Sequence, residues 1–273
     1  MRQHLRVVNR PTAQYDSIDS CDVQEAEALG FMPRVLTLTT LPHSRPASNT
    51  FERVNGHHRL RLTARRPIGL PYGVYPRLIL VYLTTAAVRS RSPIVELGPS
   101  PNEFARRLGL TPISGKRGTV PRLQDQLERL LTTRLSWYRS DGVRADESCS
   151  AQIGSKRLGC ALLGRRTVRR QARWRSGVVL STNFFEEVTC SSVPVDLRSI
   201  RRLSTSPLSI DLYVWLTHRM SYLRRPALIP WDALRSQFGS DYGRIRGEGQ
   251  ETLSAQSYGS SPHPLTRLPG CPR

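Results

Sequence analysis

The sequence predicts an α+β fold with small antiparallel sheets, arranged as two related modules of which the second is incomplete. Short segments such as HRLRLTARR alternate with period two and predict strands of a small sheet. Both halves of the chain repeat one order, in which a long apolar helix is followed by a short strand and a short helix that ends at a glycine. Residues 243–273 are rich in Gly, Ser and Pro and offer no core.

Shifts in composition divide the chain into five predicted segments. With 273 residues the chain can form two domains that each bury a core. The segments are a flexible N-terminal arm (1–24), a first module (25–140), a basic irregular insert or linker (141–177), a second, truncated module (178–242) and a disordered tail (243–273).

The charge balance indicates a polyanionic partner. Lys and Arg total 41 against 21 for Asp and Glu, which gives a net charge of +20 and concentrates phosphate around the protein. The longest apolar run, Leu78 to Leu83, is far shorter than the ~20 residues that cross a bilayer, and the N-terminal sequence lacks the apolar region of a signal peptide. We therefore expect a cytoplasmic, DNA-associated protein with no membrane contact.

Cysteine and histidine spacing supports neither a disulfide framework nor a bound metal. The cysteines are scattered without any C-x-x-C pair. His57 and His58 are adjacent, and neighbouring residues on a strand point to opposite faces. We expect no metal ion and no cofactor.

The first module begins with strands and a central helix. RVLTLTTLP (34–42) alternates with period two, and we expect it to pair with HRLRLTARR (58–66). The segment YPRLILVYLTTAAVRS is apolar on nearly all sides, which predicts a buried helix from Pro76 to about Arg89. IVELG then predicts a short strand.

A capping signal and an apolar stripe define the next two helices. Ser100 followed by Glu103 predicts a capping box, and Gly109 ends that helix. After the loop LTPISGKRG, residues 119–133 form a predicted helix with one apolar stripe. The stripe consists of Val120, Leu123, Leu127, Leu130 and Leu131. LSWYRS follows this helix as a predicted strand.

The second half repeats the order of helix, strand and helix. SPLSIDLYVWLTHRMSYL predicts an apolar helix, RRPALIP a basic turn with a short strand, and WDALRSQFG a short helix ended by Gly239. We expect Tyr222 and Trp231 in the core rather than stacked on bases.

The stretch SGKRGTVPRL begins like a phosphate-binding loop but fails the spacing of that motif. The motif needs a glycine five positions before the Gly-Lys pair and a hydroxyl residue after the lysine. Here Leu110 holds the first position and Arg117 follows Lys116. A nucleotide site is therefore not predicted.

The sequence predicts a helix-turn-helix that reads a major groove. Two helices are joined by a turn, and the second has an outward face of basic and amide side chains. Arg pairs with guanine and Gln with adenine, while cations at the helix entrance suit phosphates. The flanking strands predict the winged form of this motif. The alternative to a DNA-reading helix is a solvated surface helix whose Arg and Gln residues only keep it soluble. The predicted DNA-binding residues are Lys116, Arg117, Thr119, Arg122, Asp125, Gln126 and Arg129 in the first module, and Arg219, Arg224, Arg225, Arg235 and Gln237 in the second.

Four stretches resemble the plasmid-encoded RepA family of replication initiators. They are ALGFMPRVLTLTTLPHSRP, IGLPYGVYPRLILVYLTTAAVRSRS, LSTNFFEEV and VPVDLRSIRRLSTSPLSIDLYVWLTHRMSYLRRPALIPWDALRSQFGSDY, and the likeness covers about residues 25–140 and 178–242. The resemblance implies binding to repeated sequences in double-stranded DNA at a plasmid origin and duplex opening nearby. It also implies recruitment of host initiator and helicase-loading proteins, and self-association, for instance as a homodimer, that limits copy number. Paired winged helices and no enzymatic activity are implied as well.

The chain departs from the family after FGSDY, where the family continues with a basic helix. Glycines and prolines make a helix implausible here. We hypothesise a frameshift near residue 245, because codons can be chosen for Glu248 to Ser260 whose shifted frame reads KAKKRYLRNLMEV. Residues 142–175 fit the same hypothesis, since the family pattern resumes at LSTNFF. The chain would then be a frameshifted or truncated copy, which sequencing the gene would test.

Two other functions are compatible with parts of the sequence. A winged-helix transcriptional repressor would share the DNA-reading residues and lack duplex opening. A rolling-circle nicking enzyme needs a tyrosine nucleophile and two histidines on one strand face that hold a metal. His57 and His58 have the wrong spacing for it, and Tyr82, Tyr138 and Tyr222 have no visible metal partners in the sequence.

Overall fold

The computed structural model describes residues 4–7, 27–139, 147–158 and 177–238. The predicted tail at 243–273, most of the predicted N-terminal arm and part of the basic insert lie outside these residues. Predictions about those parts of the chain, including the frameshift near residue 245, therefore stay predictions.

Eight helices and eleven strands are present in the described residues. The helices are α1 (Arg34–Leu38), α2 (Val74–Ser90), α3 (Pro101–Arg107), α4 (Thr119–Thr132), α5 (Thr182–Cys190), α6 (Leu197–Arg202), α7 (Pro207–Tyr222) and α8 (Trp231–Phe238). The strands are β1 (His4–Val7), β2 (Leu29–Pro33), β3 (Thr50–Asn55), β4 (His58–Thr63), β5 (Ile94–Glu96), β6 (Arg134–Arg139), β7 (Glu147–Gln152), β8 (Gly154–Leu158), β9 (Gly177–Leu180), β10 (Ser192–Asp196) and β11 (Ala227–Pro230).

The strands form small antiparallel sheets, which confirms this part of the predicted α+β class. One sheet has four strands in the order β3-β4-β6-β7, and another has three in the order β5-β9-β8. Two further pairs, β2 with β10 and β1 with β11, bring distant parts of the chain together. The predicted helices now numbered α2, α3, α4, α7 and α8 are confirmed, as is the cap at Ser100, whose side chain accepts a hydrogen bond from the backbone N–H of Glu103.

The prediction of a strand at RVLTLTTLP is wrong. The strand β2 ends at Pro33, and the helix α1 follows at once. Two threonines support this helical turn, because the Thr37 hydroxyl donates to the Pro33 carbonyl at 3.2 Å and the Thr39 hydroxyl donates to the Val35 carbonyl at 2.6 Å. The predicted strand at residues 58–66 is confirmed as β4, but β3 and β6 are its partners.

The prediction of an irregular insert at 141–177 also needs correction. Strands β7 and β8 lie within it, and Ala151 and Ile153 are buried. Strand β9, which was expected to begin the second module, pairs with both β5 and β8 and so belongs to the sheet of the first. Local periodicity could not show this, because the pairing joins segments that are far apart in sequence.

The main core surrounds helix α2 and continues into helix α7 through Ile210 and Val214. A second and much smaller core lies on the other side of α7, where Trp215 packs with Ile229, Leu234 and Phe238. The second set of helix, strand and helix therefore has a small apolar cluster of its own.

Three findings bear on the expected absence of disulfides, metal and membrane spans. Cys190 at the end of α5 is disulfide-bonded, a bond that cysteine spacing did not indicate, because spacing along the chain does not report proximity in space. Within the described ranges, no group of three or more His, Cys, Asp or Glu side chains could hold a metal ion. No helix in that part of the chain combines the length and apolar character needed to cross a bilayer.

Candidate nucleic-acid interface

Helix α4 is held by one buried stripe. The five predicted stripe residues, from Val120 to Leu131, are at most 9 % exposed, which confirms the stripe. It packs against α2, α3 and β8. A Cβ at Gly154 of β8 would lie 2.9 Å from a methyl carbon of Leu131, so glycine is what lets this strand approach the helix. Each buried leucine stabilises the packing by about 1.5–3 kcal/mol, and the opposite face of α4 is turned to solvent.

A tight turn leads into α4. The backbone N–H of Gly118 donates to the Gly115 carbonyl at 2.9 Å, and that of Val120 donates to the Ile113 carbonyl at 3.3 Å. Gly115 has φ +106°, a conformation that favours glycine. At Gly118 the requirement is space, because a Cβ there would lie 2.0 Å from the Ile113 oxygen.

This turn presents cations beside the first turn of a helix. Lys116 and Arg117 are exposed, and Arg122 is exposed one turn further on. Among the residues that the structure describes, no carboxylate forms an ion pair with these three side chains. The N-terminal N–H groups and the helix dipole add to the positive potential. These predicted residues, with exposed Asp125 and half-buried Thr119, lie where a polyanion can reach them.

Gln126 does not lie on this surface, and its predicted outward position is wrong. It is 4 % exposed. Its side-chain Oε1 accepts a hydrogen bond from the backbone N–H of Tyr72 at 2.9 Å, and its Nε2 donates to Asp125 at 3.1 Å. Gln126 follows Leu123 by three residues and precedes Leu130 by four, so it shares the buried stripe. That spacing is the sequence signal that would have placed it correctly.

Arg129 is also turned toward the protein, contrary to the predicted outward position. Its side chain is 12 % exposed, and Nε donates to Asp125 at 2.8 Å. Nη1 reaches the Leu70 carbonyl at 3.4 Å, and the guanidinium lies 5.7 Å from the centre of the Tyr72 ring. Arg129 therefore joins α4 to the segment before α2.

The second set of predicted residues is split between surface and interior. Arg224 and Arg225 are exposed in the turn between α7 and β11, as predicted. Gln237 is 5 % exposed and its Nε2 donates to the Leu38 carbonyl at 3.2 Å, so its predicted outward position is wrong. Arg219 is half-buried with its guanidinium 5.6 Å from the Trp215 ring centre. Arg235 lies on α8, and its side chain is outside the described part of the structure.

Comparison with known proteins decides the family. Residues 70–233, from the segment before α2 into the start of α8, match the family described as "Plasmid encoded RepA protein". The match covers more than half of the chain. The chain belongs to the plasmid-encoded RepA family. This confirms the resemblance found in the sequence and a role as a replication initiator of that family.

Among solved structures, this RepA-family chain is similar to domains 2 and 3 of RctB. One crystal structure, of a selenomethionine derivative, shares 14% sequence identity at a TM-score of 0.47 and covers 78% of this chain and 80% of that chain. A second crystal structure of RctB domains 2-3 shares 14% identity at a TM-score of 0.42, covering 69% of this chain and 70% of the other. No curated protein matches the chain in sequence.

One cationic group of this RepA-family chain was not predicted from the sequence. Arg201 on α6 lies against the turn between α3 and α4, since a Cβ on Gly109 would be 2.9 Å from its side chain. Arg201 and its neighbour Arg202 are exposed. The pair of arginines after buried Ile200 was visible in the sequence, but only the tertiary structure places Arg201 against Gly109, just after the end of α3.

Two aromatic residues are more exposed than expected. Tyr222 is 56% and Trp231 48% exposed, so the prediction that both lie in the core is wrong. The Tyr222 ring packs edge-on against His218 with its centre 5.3 Å away. The small second core buries Trp215, whereas the Tyr222 and Trp231 rings lie at its edge.

Proposed function

We propose that this RepA-family protein starts plasmid replication by binding repeated sequences at an origin, with helix α4 in the major groove. The observation that carries this proposal is the surface formed by Lys116, Arg117 and Arg122, whose charges are unpaired in the described residues while a buried leucine stripe holds the helix from behind. An unpaired cationic surface around a helix start suits DNA phosphates and base edges.

The order of elements supports a winged-helix first module. Helices α2, α3 and α4 pack together, β5 lies between α2 and α3 in the chain, and β8 and β9 complete the sheet in the order β5-β9-β8. Helix α7, strand β11 and helix α8 give the second module the same beginning.

We propose a smaller set of base-reading residues than the sequence predicted. Arg122 is the remaining arginine on the exposed side of α4, with Thr119 and Asp125 as neighbours. Lys116 and Arg117 are assigned to phosphates because they precede the helix. Gln126 and Arg129 are positioning residues that fix the helix, and Arg224 and Arg225 give the second module a phosphate contact.

The family implies further partners, which belong to this proposal. Origin binding would be followed by duplex opening, recruitment of host initiator and helicase-loading proteins, and self-association that limits copy number. We propose that the protein itself performs no covalent step.

Quantitative binding to a candidate origin repeat tests the assignment. We expect Arg122→Ala to lower affinity by about 1–3 kcal/mol and to relax preference at one base pair. Lys116→Ala should weaken binding to all sequences alike and reduce the salt slope by about 1. Arg45→Ala, an exposed arginine in the loop after α1, is the charge-matched control. If Arg122→Ala weakens every sequence equally, the base-reading role is refuted.

A transcriptional repressor remains the second candidate, because it would use the same groove contacts. Chemical probing of unpaired thymines on a supercoiled origin plasmid separates the two. An initiator opens the duplex next to its binding repeats, whereas a repressor protects its site and leaves the neighbouring duplex closed.

A further inference from the structure

The four-stranded sheet β3-β4-β6-β7 has one buried and one open face. On the buried face Leu60, Leu62 and Leu135 are 0–1 % exposed. Because successive side chains on a strand alternate, their neighbours Arg61 and Arg134 point to the open face, where both are exposed. The open face is therefore basic.

The strand register brings these arginines close together. Arg134 lies opposite Thr63, and Arg61 lies opposite Ser136, so the two arginines are diagonal neighbours, about 7–8 Å apart at their backbones. Arg59 precedes Arg61 on the same face and lies opposite Tyr138. Like charges this close repel each other unless an anion neutralises them.

Carboxylates of the described residues do little to neutralise this face. Glu52 lies opposite Arg61 in the register of β3 and β4, but its carboxylate pairs with Arg59, at 3.3 Å. The side chains of Glu52 and Arg59 are 44% and 58% exposed, so the pair is weak. Within the described part of the chain, no carboxylate forms an ion pair with Arg61, Arg65 or Arg134. An excess of positive charge is left on an open, rigid surface.

The open face continues into a cleft of about 880 Å³ at the end of β4. Arg65, Arg134, and Thr182 and Asn183 at the start of α5 all line the cleft. Gln152 of β7 also lines it. Guanidinium, hydroxyl and amide groups of this kind bind phosphate oxygens.

The basic face is rigidly joined to the proposed reading helix. Helix α4 ends at Thr132 and β6 begins at Arg134, so a single residue separates them. That residue, Thr133, is fully buried, and its N–H and hydroxyl both donate to the Arg129 carbonyl, at 3.0 and 2.7 Å. The position of Arg134 is therefore fixed relative to α4.

We propose that the open face of this sheet is a second DNA contact, which binds the phosphodiester backbone of duplex DNA flanking the segment read by α4. The inference rests on the proposed function, since α4 must hold the duplex for the sheet to meet its flank. Charge complementarity indicates the DNA backbone as the partner of this face. The face offers unpaired guanidinium groups that attract phosphate, and these groups are not arranged to read bases.

The test compares two duplexes and uses the full-length protein. One duplex contains only the origin repeat, and the other extends it on both sides. The double variant Arg61→Gln/Arg134→Gln should bind the extended duplex several-fold more weakly than the wild type, with a salt slope smaller by about 2. It should bind the short duplex as the wild type does, with unchanged base preference. Arg45→Gln/Arg91→Gln removes two exposed arginines elsewhere and is the matched control.

A rescue variant separates charge from folding. Arg61→Lys/Arg134→Lys keeps both charges and should restore most of the salt slope, because phosphate accepts a lysine as a point charge. Equal losses of affinity on both duplexes would overturn the proposal. No loss relative to the control pair would overturn it too, and would indicate an acidic protein as the partner of this face. Failure of the proposed function gives a different result, namely no change of base preference in Arg122→Ala on either duplex.

Discussion

Arg77 and Asp211 are joined side to side in the interior, although they are 134 positions apart in the chain. Nε and Nη2 of Arg77 donate to the two carboxylate oxygens of Asp211 at 2.7 and 2.6 Å. Nε2 of His43 lies 2.8 Å from the same carboxylate. Arg77 is 0% exposed, and its remaining donors reach the carbonyls of residues 41, 42 and 73. This contact ties helix α2 to helix α7.

Asp211→Ala should therefore destabilise the protein severely. The substitution leaves the buried Arg77 charge without its carboxylate, which costs about 3–5 kcal/mol. Urea unfolding followed by circular dichroism measures the change. Glu52→Ala, which removes an exposed ion-pair partner, should change the free energy of unfolding by no more than about 1 kcal/mol. Similar losses in the two variants would contradict this account of the pair.

Gln126→Ala should reduce stability rather than base preference. The substitution leaves the partly buried backbone N–H of Tyr72 without its acceptor, at a cost of about 1–3 kcal/mol. Gln124, which is only half-buried on the same helix, provides the matched control as Gln124→Ala. Unfolding free energies and binding to single-base variants of the origin repeat should be measured together. A change of base preference in Gln126→Ala with no loss of stability would support the original outward prediction instead.

Gly118→Ala should disturb the start of α4. An added Cβ would lie 2.0 Å from the Ile113 carbonyl oxygen, and relieving such a clash costs about 1–3 kcal/mol. Because the same turn positions Lys116, we expect DNA affinity to fall as well. At Gly115 the φ is +106° but no atom lies within 4 Å of a built Cβ, so Gly115→Ala tests backbone strain alone. An unchanged melting temperature in Gly118→Ala would show that the turn can open without cost.

His218 should make the protein less stable in acid. Burial, together with nearby Arg34 and His58, lowers the pKa of His218 to about 4, against about 6.5 in an unfolded chain. The unfolded state therefore binds more protons between these two values, so stability is full above about pH 6.5 and falls as the pH drops toward 4. Part of the ring is solvent-exposed, which reduces the expected loss to about 1–2 kcal/mol.

Urea unfolding at about pH 7.5 and pH 4.5 checks this pH dependence. The wild type and His218→Gln are compared, and the variant should lose less stability between the two conditions. Equal losses would assign the acid sensitivity to other groups.

Local signals in the sequence predicted most helices, misplaced one strand and missed several others. The cap at Ser100 and the leucine stripe of α4 depend on residues within one or two turns, so they were found. The threonine-rich segment after Pro33 has a strand-like alternation but forms α1, because its hydroxyls bond to carbonyls four residues back. Strands β7 to β9 are defined by partners across the chain, which alternation cannot identify.

In the candidate interface, the sequence alone determined that α4 has a buried and an open side and that Lys116, Arg117 and Arg122 stand on the open one. Family membership followed from the sequence as well. Only the tertiary structure decided which groups Gln126 and Arg129 contact and that Arg201 lies against Gly109 after α3. The helical period in the sequence shows which side of a helix is apolar. The partner of a polar side chain at the edge of that side depends on which distant part of the chain packs against it. For Gln126 that group is the backbone N–H of Tyr72, 54 residues away.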